Sequence, residues 1–385
     1  MTIDLDQHRR LAIAPMMELT DRHYRYLARL MTRHTLLYTE MLTSAAVVHG
    51  DRDYLLGKSD VEGPVVLQLG GSEPKQMAEA AQIGEQWGYD EINMNVGCPS
   101  DRVKAGRFGA CLMAEAGLVA DNVEAMQKAV GIPVSVKCRL GIDRDDSYEA
   151  LSSFVKVVAA AGCQYFIVHA RKAWLDGLSP KENRSIPPLR YDYVYRLKRE
   201  FSHLHITING GIETLEAASE HLTQVDGVMM GRAAYYQPAL LIQADQQLFP
   251  ELPDGRVFAC AGDAPDQNEA LYDIARGYAN YMQQWMDKGV RLSAMSRHVV
   301  SLFQNVPGAR LWRRHISEQA NQAPDALCLI EGAITHLQQA NARIEHTASQ
   351  SRSTMPEHTM PAASPDTASN NSANVNTHFP DRHSA

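Results

Sequence analysis

The sequence predicts an α/β fold: a (β/α)8 TIM barrel followed by a small C-terminal helical domain and a disordered tail. Eight apolar, strand-like runs alternate with segments of helical period between residues 11 and 232. Strands that are apolar almost throughout and alternate with helices indicate a parallel sheet covered on both faces. Eight such units in about 220 residues match the barrel, and an open doubly wound sheet is the alternative.

The elements follow one another in a regular order. The predicted strands cover residues 11–16, 35–41, 64–70, 91–97, 133–140, 165–170, 205–210 and 227–232. The predicted helices cover residues 20–32, 74–87, 117–130, 148–161, 191–200 and 213–222. Pro74 suits the first turn of its helix, because proline lacks the N–H that this turn leaves unpaired.

Four segments are expected along the chain. The barrel takes up residues 1–245, and residues 246–265, with several prolines and glycines, form a linker. Apolar residues recur at helical spacing in residues 266–346, which predicts a small helical domain. Residues 347–385 are rich in Ser, Thr, Asn, Pro and Ala, so they bury too little apolar surface to offset their ordering entropy and are expected to be disordered.

Composition excludes several classes of protein. The 385 residues are 45% hydrophobic and 21% charged, as in ordinary globular proteins. No window approaches 18 apolar residues, so we expect no membrane span. The acidic N-terminus does not resemble a signal peptide, and the six scattered cysteines form no C-x-x-C pair. These observations predict a cytoplasmic protein without a metal site or a disulfide framework, and no obligate protein partner is evident.

The charge is unevenly distributed. The net charge is −8, which does not by itself suggest a nucleic-acid-binding protein. From Lys288 to Arg314, however, the chain carries six basic residues and no acidic one. This basic stretch is made of Lys288, Arg291, Arg297, Arg310, Arg313 and Arg314.

Polar and glycine residues follow the predicted strands. In barrels of this class the chemistry lies at the carboxyl ends of the strands. Taken singly, each such residue is more often an ordinary cap, a packing residue or a turn glycine. Together they predict a site at the barrel mouth, where the glycines after the last two strands suit a phosphate and the whole set suits a mononucleotide cofactor. The set is Pro15, Met16, Met17, Gln68, Asn95, Cys98, Lys137, Arg139, His169, Arg171, Asn209, Gly210, Gly211, Gly231 and Arg232.

The motifs at these strand ends resemble the tRNA-dihydrouridine synthase family. They occur in the same order: Ala14-Pro15-Met16, Gln68-Leu69-Gly70-Gly71, Asn93-Met94-Asn95-Val96-Gly97-Cys98-Pro99, Lys137-Cys138-Arg139, His169-Ala170-Arg171, Asn209-Gly210-Gly211 and Gly231-Arg232. Residues 174–184 and 307–314 resemble the A subfamily, which modifies positions 20 and 20a. The resemblance covers residue 11 to about residue 340.

The resemblance implies an FMN-dependent oxidoreductase that reduces uridine to 5,6-dihydrouridine in the D-loop of tRNA, at U20 and U20a. NADPH is implied as a transient reductant, and residues 1–245 as the catalytic domain that binds FMN. By the same resemblance, FMN is expected to contact residues at the ends of the first, third, fifth, sixth, seventh and eighth strands. These are Pro15, Met16, Met17, Gln68, Lys137, His169, Asn209, Gly210, Gly211, Gly231 and Arg232.

Cys98 is the expected catalytic residue. Hydride transfer to C6 of the uracil must be followed by delivery of a proton to C5, and a thiol with a pKa near 8.5 is mostly protonated at neutral pH. We therefore expect Cys98 to be the general acid. The residues expected to contact tRNA are Asn95, Lys181, Arg184, Arg297 and Arg310, with Trp312 available for stacking and residues 266–346 as the tRNA-binding domain.

Other interpretations remain open at this point. The arginines of the basic stretch could pair with nearby acids such as Asp287 and Glu318 instead of phosphates. A dihydroorotate dehydrogenase is another FMN barrel with a similar cysteine-containing turn. A non-catalytic RNA-binding protein on an inactive barrel is the third alternative.

Overall fold

The computed structural model describes residues 4–100, 106–252 and 267–353 of the chain. Its strands lie close to the predicted runs. They are β1 Leu11–Ile13, β2 Leu37–Tyr38, β3 Leu42–Thr43, β4 Val65–Gly70, β5 Glu91–Val96, β6 Val134–Arg139, β7 Tyr165–His169, β8 His205–Asn209 and β9 Gly227–Met230.

All paired strands are parallel and form a closed barrel. The order is β1-β9-β8-β7-β6-β5-β4-β2, and β3 also pairs with β4. A parallel bridge between Ala12 and Leu36 closes the ring, with the Ile13 N–H donating to the Leu36 carbonyl at 2.9 Å. Because β2 and β3 pair with successive parts of β4, they share one of eight positions. The predicted eight-stranded barrel is therefore confirmed, and the open-sheet alternative is wrong.

The helices also begin and end near the predicted positions. The α-helices are α1 Leu5–His8, α2 Arg22–Met31, α3 Ser44–His49, α4 Arg52–Leu56, α5 Pro74–Gln86, α6 Ala116–Ala129, α7 Tyr148–Ala160, α8 Tyr191–Glu200, α9 Leu215–Leu222, α10 Arg232–Tyr236, α11 Ala244–Leu248, α12 Gln267–Met286, α13 Leu292–Ser296, α14 Ala309–Gln319 and α15 Ala326–Ser353. The 3-10 segments are Asp60–Glu62, Gly109–Ala114, Glu182–Arg184 and Pro238–Gln243. Local sequence explains several starts: Ser147 and Thr214 cap α7 and α9 by accepting a backbone N–H through the side chain.

The strands of the barrel are buried on both faces. The faces differ in chemistry, because successive side chains of a strand point to opposite sides. Ile92 and Leu67 face outward, since a Cβ placed on Gly84 of α5 would meet both. Glu91 and Asn93 point inward instead, where they bond to residues of neighbouring strands. The outward face supplies the apolar packing, and the inward face supplies the polar groups.

The segment from α12 to α14 packs against α2 of the barrel. The ring of Tyr281 stacks on Tyr26 with centroids 3.9 Å apart, and its hydroxyl lies 2.9 Å from Nδ1 of His23. Trp312 is fully buried. Contacts of this kind are typical of a large apolar interface within one compact unit, which spans Met1–Asn341.

The expected domain boundaries fall partly outside the described residues. Helix α11 ends at Leu248, and most of the linker expected at 246–265 is not described. Helix α15 continues beyond residue 346 to Ser353, and the rest of the expected tail lies outside the described residues. Within the described ranges, no helix is both long enough and apolar enough to cross a membrane.

Candidate active site

The Cys98 turn directly follows β5 and is fixed by Asn95. The Asn95 side-chain oxygen accepts the backbone N–H groups of Gly97 and Cys98, both at 3.0 Å. The Cys98 carbonyl accepts the N–H of Ala110 at 2.9 Å, which ties the turn to the next segment of the chain. The thiol is half-buried, and its sulfur lies 3.5 Å from the hydroxyl oxygen of Ser100. The turn therefore presents a thiol at the barrel mouth from a rigid support.

Gln68 and Asn95 are buried side by side at the ends of β4 and β5. Nδ2 of Asn95 donates to Oε1 of Gln68 at 2.8 Å, and Nε2 of Gln68 donates to Oδ1 of Asn93 at 2.7 Å. Each primary amide has two N–H bonds, so each of the two keeps one N–H beyond these contacts. Both side chains can therefore offer a donor to a ligand in the mouth.

Lys137 is half-buried near the carboxyl end of β6. Its Nζ donates to Oδ1 of Asn209 at 3.1 Å, and Nδ2 of Asn209 donates to the Met229 carbonyl at 2.8 Å. Loss of hydration and the neighbouring Arg139 guanidinium lower the pKa of Lys137 to about 8. A cation in this environment is stabilised by an anionic or electron-rich ligand.

His169 lies at the end of β7 among cations. The pKa of His169 is held well below its usual value. The main cause is burial of the ring, which disfavours the charged imidazolium, and the positive charges of Arg139, Lys137 and Arg171 add to this effect. The imidazole is therefore neutral at physiological pH and can donate one hydrogen bond. The field of these cations makes this side of the mouth suitable for an anion.

The corner after β8 requires glycine. Gly210 and Gly211 have φ values of 116° and 70°. A Cβ on Gly210 would lie 2.7 Å from Cδ2 of His169, and one on Gly211 would lie 2.7 Å from Leu189. The hydroxyl of Tyr191 donates to the Gly210 carbonyl at 2.7 Å, which fixes the backbone of this corner.

Arg171 belongs to the strand-end set predicted at the barrel mouth and to the His169-Ala170-Arg171 motif, but it was not among the residues expected to contact FMN. Its guanidinium is anchored through one terminal nitrogen to the carbonyls of Ser185 and Pro187. Its Nε is buried and has no hydrogen-bond partner among the residues that the structure describes. A buried guanidinium N–H without a partner is costly, so this atom indicates a missing acceptor such as a phosphate oxygen.

The first strand end contributes a smaller part of the site. Met16 is buried, its N–H donates to the Thr20 hydroxyl at 2.9 Å, and Gly231 leaves space beside its sulfur. Met17 is 56% exposed, and Arg232 is exposed at the start of α10. These residues, together with Pro15, follow the carboxyl ends of the paired strands β1 and β9.

Arg139 and Asn183 hold the loop after β7 and were missed as positioning residues. Arg139 is buried and donates to the carbonyls of Gly97, Lys172 and Asn183 at 2.8, 3.0 and 3.0 Å. Asn183 is fully buried and bonds to both backbone groups of Trp174. The loop is thereby tied to the Cys98 turn, while Lys181 and Arg184 are exposed on it.

The basic stretch divides into paired and exposed residues. Arg297 forms an ion pair with Asp21 of the barrel at 2.6 Å, so its partner is neither Asp287 nor Glu318. Arg310, Arg313 and Arg314 are exposed on α14. The expectation that Trp312 stacks on RNA is wrong. Its ring is fully buried and its Nε1 donates to the Val299 carbonyl at 2.8 Å, because the indole faces the core of the helical segment.

Comparison with known proteins gives one consistent family. The Dihydrouridine synthase (Dus) model matches residues 12–341. The chain is 53% identical to tRNA-dihydrouridine(20/20a) synthase from Yersinia pestis over 326 residues, covering 84% of this chain and 90% of that protein. The protein of the same name from Synechocystis is 54% identical over 320 residues, covering 82% and 92%.

A more distant likeness exists among solved structures. The 2-naphthoyl-CoA reductase complex aligns with a TM-score of 0.48 and 12% identity, covering 62% of this chain and 50% of that one. The relatives from Yersinia pestis and Synechocystis, in contrast, align with more than four fifths of the chain, and the family model covers every strand end described above. The chain therefore belongs to the dihydrouridine synthase family.

Proposed function

We propose that the protein reduces uridine to 5,6-dihydrouridine in the D-loop of tRNA, at U20 and U20a, with FMN as bound cofactor and NADPH as reductant. The observation that carries this proposal is the identity above 50%, over more than four fifths of the chain, to proteins named tRNA-dihydrouridine(20/20a) synthase. The Cys98 turn at the mouth of the barrel agrees with it. Neither a dihydroorotate dehydrogenase nor a non-catalytic RNA-binding protein is favoured by these relatives.

The residues at the mouth fit FMN. Three features support the fit: the unpartnered Nε of Arg171, the corner at Gly210 and Gly211 that a Cβ would fill, and the cations around His169. Bound FMN supplies hydride for the reduction, and NADPH replenishes it. The residues proposed to hold it are Pro15, Met16, Met17, Gln68, Lys137, His169, Arg171, Asn209, Gly210, Gly211, Gly231 and Arg232.

Cys98 is proposed to deliver the proton to C5 of the uracil. Reduction at C6 leaves negative charge at C5 and the adjacent carbonyl oxygen, so a positioned acid speeds the step. The bonds from Asn95 fix the turn that carries the thiol. The remaining N–H of Asn95 can orient the uracil by donating to a carbonyl oxygen.

The substrate must be unstacked before it reaches Cys98. A uracil in the folded D-loop is extruded into the pocket, and the rest of the RNA is bound mainly through phosphates and shape. We assign this contact to Lys181 and Arg184 from the barrel side and to Arg297 and Arg310 from the segment 266–346. This division assigns catalysis to residues 1–245 and tRNA binding to the helical segment, in a cytoplasmic protein.

Replacement of Cys98 by Ala tests the proposal. Dihydrouridine formation in unmodified tRNA should fall by about a hundredfold or more, in line with the loss of a general acid. Reduction of the bound flavin by NADPH should persist, since that step does not need the thiol. Cys111→Ala is the matched control, because Cys111 is also half-buried and lies in the 3-10 segment beyond the turn.

Two results would contradict the proposal at different levels. Near-normal turnover of Cys98→Ala on natural tRNA would exclude the proton-donor role. A purified wild-type protein without FMN, or tRNA that retains dihydrouridine at positions 20 and 20a in a strain lacking the gene, would exclude the function itself.

A further inference from the structure

The interior of the barrel contains a continuous chain of hydrogen bonds below the site. Interiors of such barrels are usually filled by branched apolar side chains. Here Glu91, Asn93 and Asn95 of β5, Ser135 of β6 and Gln68 of β4 all point inward and bond to one another. Each of the five is no more than 8% exposed. The chain runs along β5 for about 13 Å, from the lower end of the barrel to the mouth.

Every bond of this chain runs in the same direction. The Ser135 hydroxyl donates to the Glu91 carboxylate, and Nδ2 of Asn93 donates to the Ser135 oxygen at 2.8 Å. Nε2 of Gln68 then donates to Oδ1 of Asn93 at 2.7 Å. Finally, Nδ2 of Asn95 donates to Oε1 of Gln68 at 2.8 Å.

Both ends of the chain impose this direction. At the lower end the Glu91 carboxylate can only accept, and Arg9 holds it in an ion pair with Nη1 2.5 Å from Oε2. At the upper end the backbone N–H groups of Gly97 and Cys98 can only donate to Asn95. Turning any amide in between would place two donors or two acceptors against each other. The two ends therefore permit one orientation for each amide.

This direction decides what the mouth offers to a ligand. Oε1 of Gln68 and Oδ1 of Asn95 both face donors inside the protein, and each amide nitrogen keeps one N–H beyond its bond to the chain. Such donors suit carbonyl oxygens, and the donors become more valuable when negative charge develops on those oxygens. A mobile amide would offer a carbonyl oxygen part of the time, which would repel the same atoms.

We propose that Asn93, Ser135 and the Glu91–Arg9 pair are positioning residues, which lock Gln68 and Asn95 as N–H donors toward carbonyl oxygens of the flavin and the uracil. This inference rests on the proposed function, because the flavin and the uracil are ligands only if the protein is a dihydrouridine synthase that uses FMN. None of these four side chains needs to touch a ligand.

Substitution at Asn93 tests the lock in the FMN-bound protein. Asn93→Leu removes the acceptor of Gln68 and should weaken FMN binding, measured by flavin fluorescence, by about tenfold, the effect of one or two buried hydrogen bonds. Asn93→Asp should restore FMN affinity to within about threefold, because a buried, protonated carboxyl both accepts from Gln68 and donates to Ser135. The control is Thr207→Val, which removes a buried hydroxyl from β8 outside the chain and should leave FMN affinity unchanged.

A second measurement uses the wild-type protein, so that it does not depend on folding of a variant. The bonded side-chain amide proton of Gln68 and that of Asn95 should each exchange with solvent at least a hundredfold more slowly than the amide protons of exposed Gln247. Exchange at the rate of Gln247, or equal FMN affinities in Asn93→Leu and Thr207→Val, would overturn the lock. Wild-type protein without FMN would instead overturn the proposed function, even if these amides are protected.

Discussion

Gly210→Ala is the sharpest test of how the corner after β8 shapes the site. The residue has a φ of 116°, and a new Cβ would lie 2.7 Å from Cδ2 and 3.0 Å from Nε2 of His169. Leu189 lies 3.2 Å away on another side, which limits the movement that could relieve the overlap. The substitution therefore combines backbone strain with displacement of His169, a side chain proposed to bind FMN.

The two contributions have different sizes and readouts. Positive φ in a residue other than glycine costs about 1–2 kcal/mol. Overpacking against His169 adds about 1–3 kcal/mol, so the free energy of unfolding should fall by about 2–5 kcal/mol in all. Displacement of His169 should also weaken FMN binding by about fivefold or more, equivalent to one hydrogen bond.

Gly177→Ala is the matched control. Gly177 also has a positive φ, 83°, but nothing lies within 4 Å of its added Cβ. It should lose only about 1–2 kcal/mol of stability and keep its FMN affinity. Urea unfolding and flavin fluorescence titration measure the two quantities. Equal losses of stability and equal FMN affinity in the two variants would refute the steric argument.

Three further outcomes are expected. Burial and Arg139 lower the pKa of Lys137 to about 8 in the free protein, and an anionic ligand raises this pKa. FMN affinity should therefore fall by up to tenfold per pH unit above about pH 8, as measured by binding titrations from about pH 7 to about pH 10. An equally steep pH dependence of FMN affinity in Lys137→Met would contradict this role of Lys137. Asp21→Asn should lower the free energy of unfolding by about 1.5–3 kcal/mol at neutral pH by removing the charge that pairs with Arg297. Burial acts to raise the pKa of Asp21, but hydrogen bonds from His298 and from a backbone N–H hold it below its usual value. The stabilisation by the Asp21 carboxylate is therefore complete above about pH 4 and is lost as the pH falls. A stability difference between Asp21→Asn and wild type that does not change with pH would contradict this. Arg310→Ala should weaken tRNA binding about threefold and reduce the salt dependence of binding by about one phosphate contact, without changing flavin reduction by NADPH. Filter binding at several salt concentrations measures this dependence. An unchanged slope of affinity against salt concentration would show that Arg310 does not contact a phosphate.

Much of the fold could be predicted because its signals are local. Apolar runs alternating with amphipathic segments depend on neighbours in the chain, and the strands and helices from residue 64 to 230 lie within a few residues of their predicted bounds. The second of the eight strand positions in the barrel was predicted less accurately. Only β2 lies within the predicted run 35–41. β3, at Leu42–Thr43, follows that run and pairs with a different part of β4.

The candidate site was predictable in part for the same reason. Strand ends can be located from the sequence, and parallel strands bring those ends to one edge, so Cys98, Lys137 and His169 could be grouped in advance. The sequence does not show which atoms remain unpaired. Within the described part of the chain, the lack of a partner for Nε of Arg171 and the loop contacts of Arg139 depend on closure of the barrel.

The eight repeating units, the strand-end residues and the thiol after β5 can be located from the amino-acid sequence, because each depends on spacing along the chain. The tertiary structure alone decided that Arg297 pairs with Asp21, that Trp312 is buried, and that Glu91 anchors a directed chain of hydrogen bonds through the barrel. These contacts join residues far apart in sequence. Their formation depends on strand register and closure of the ring, which no local pattern specifies.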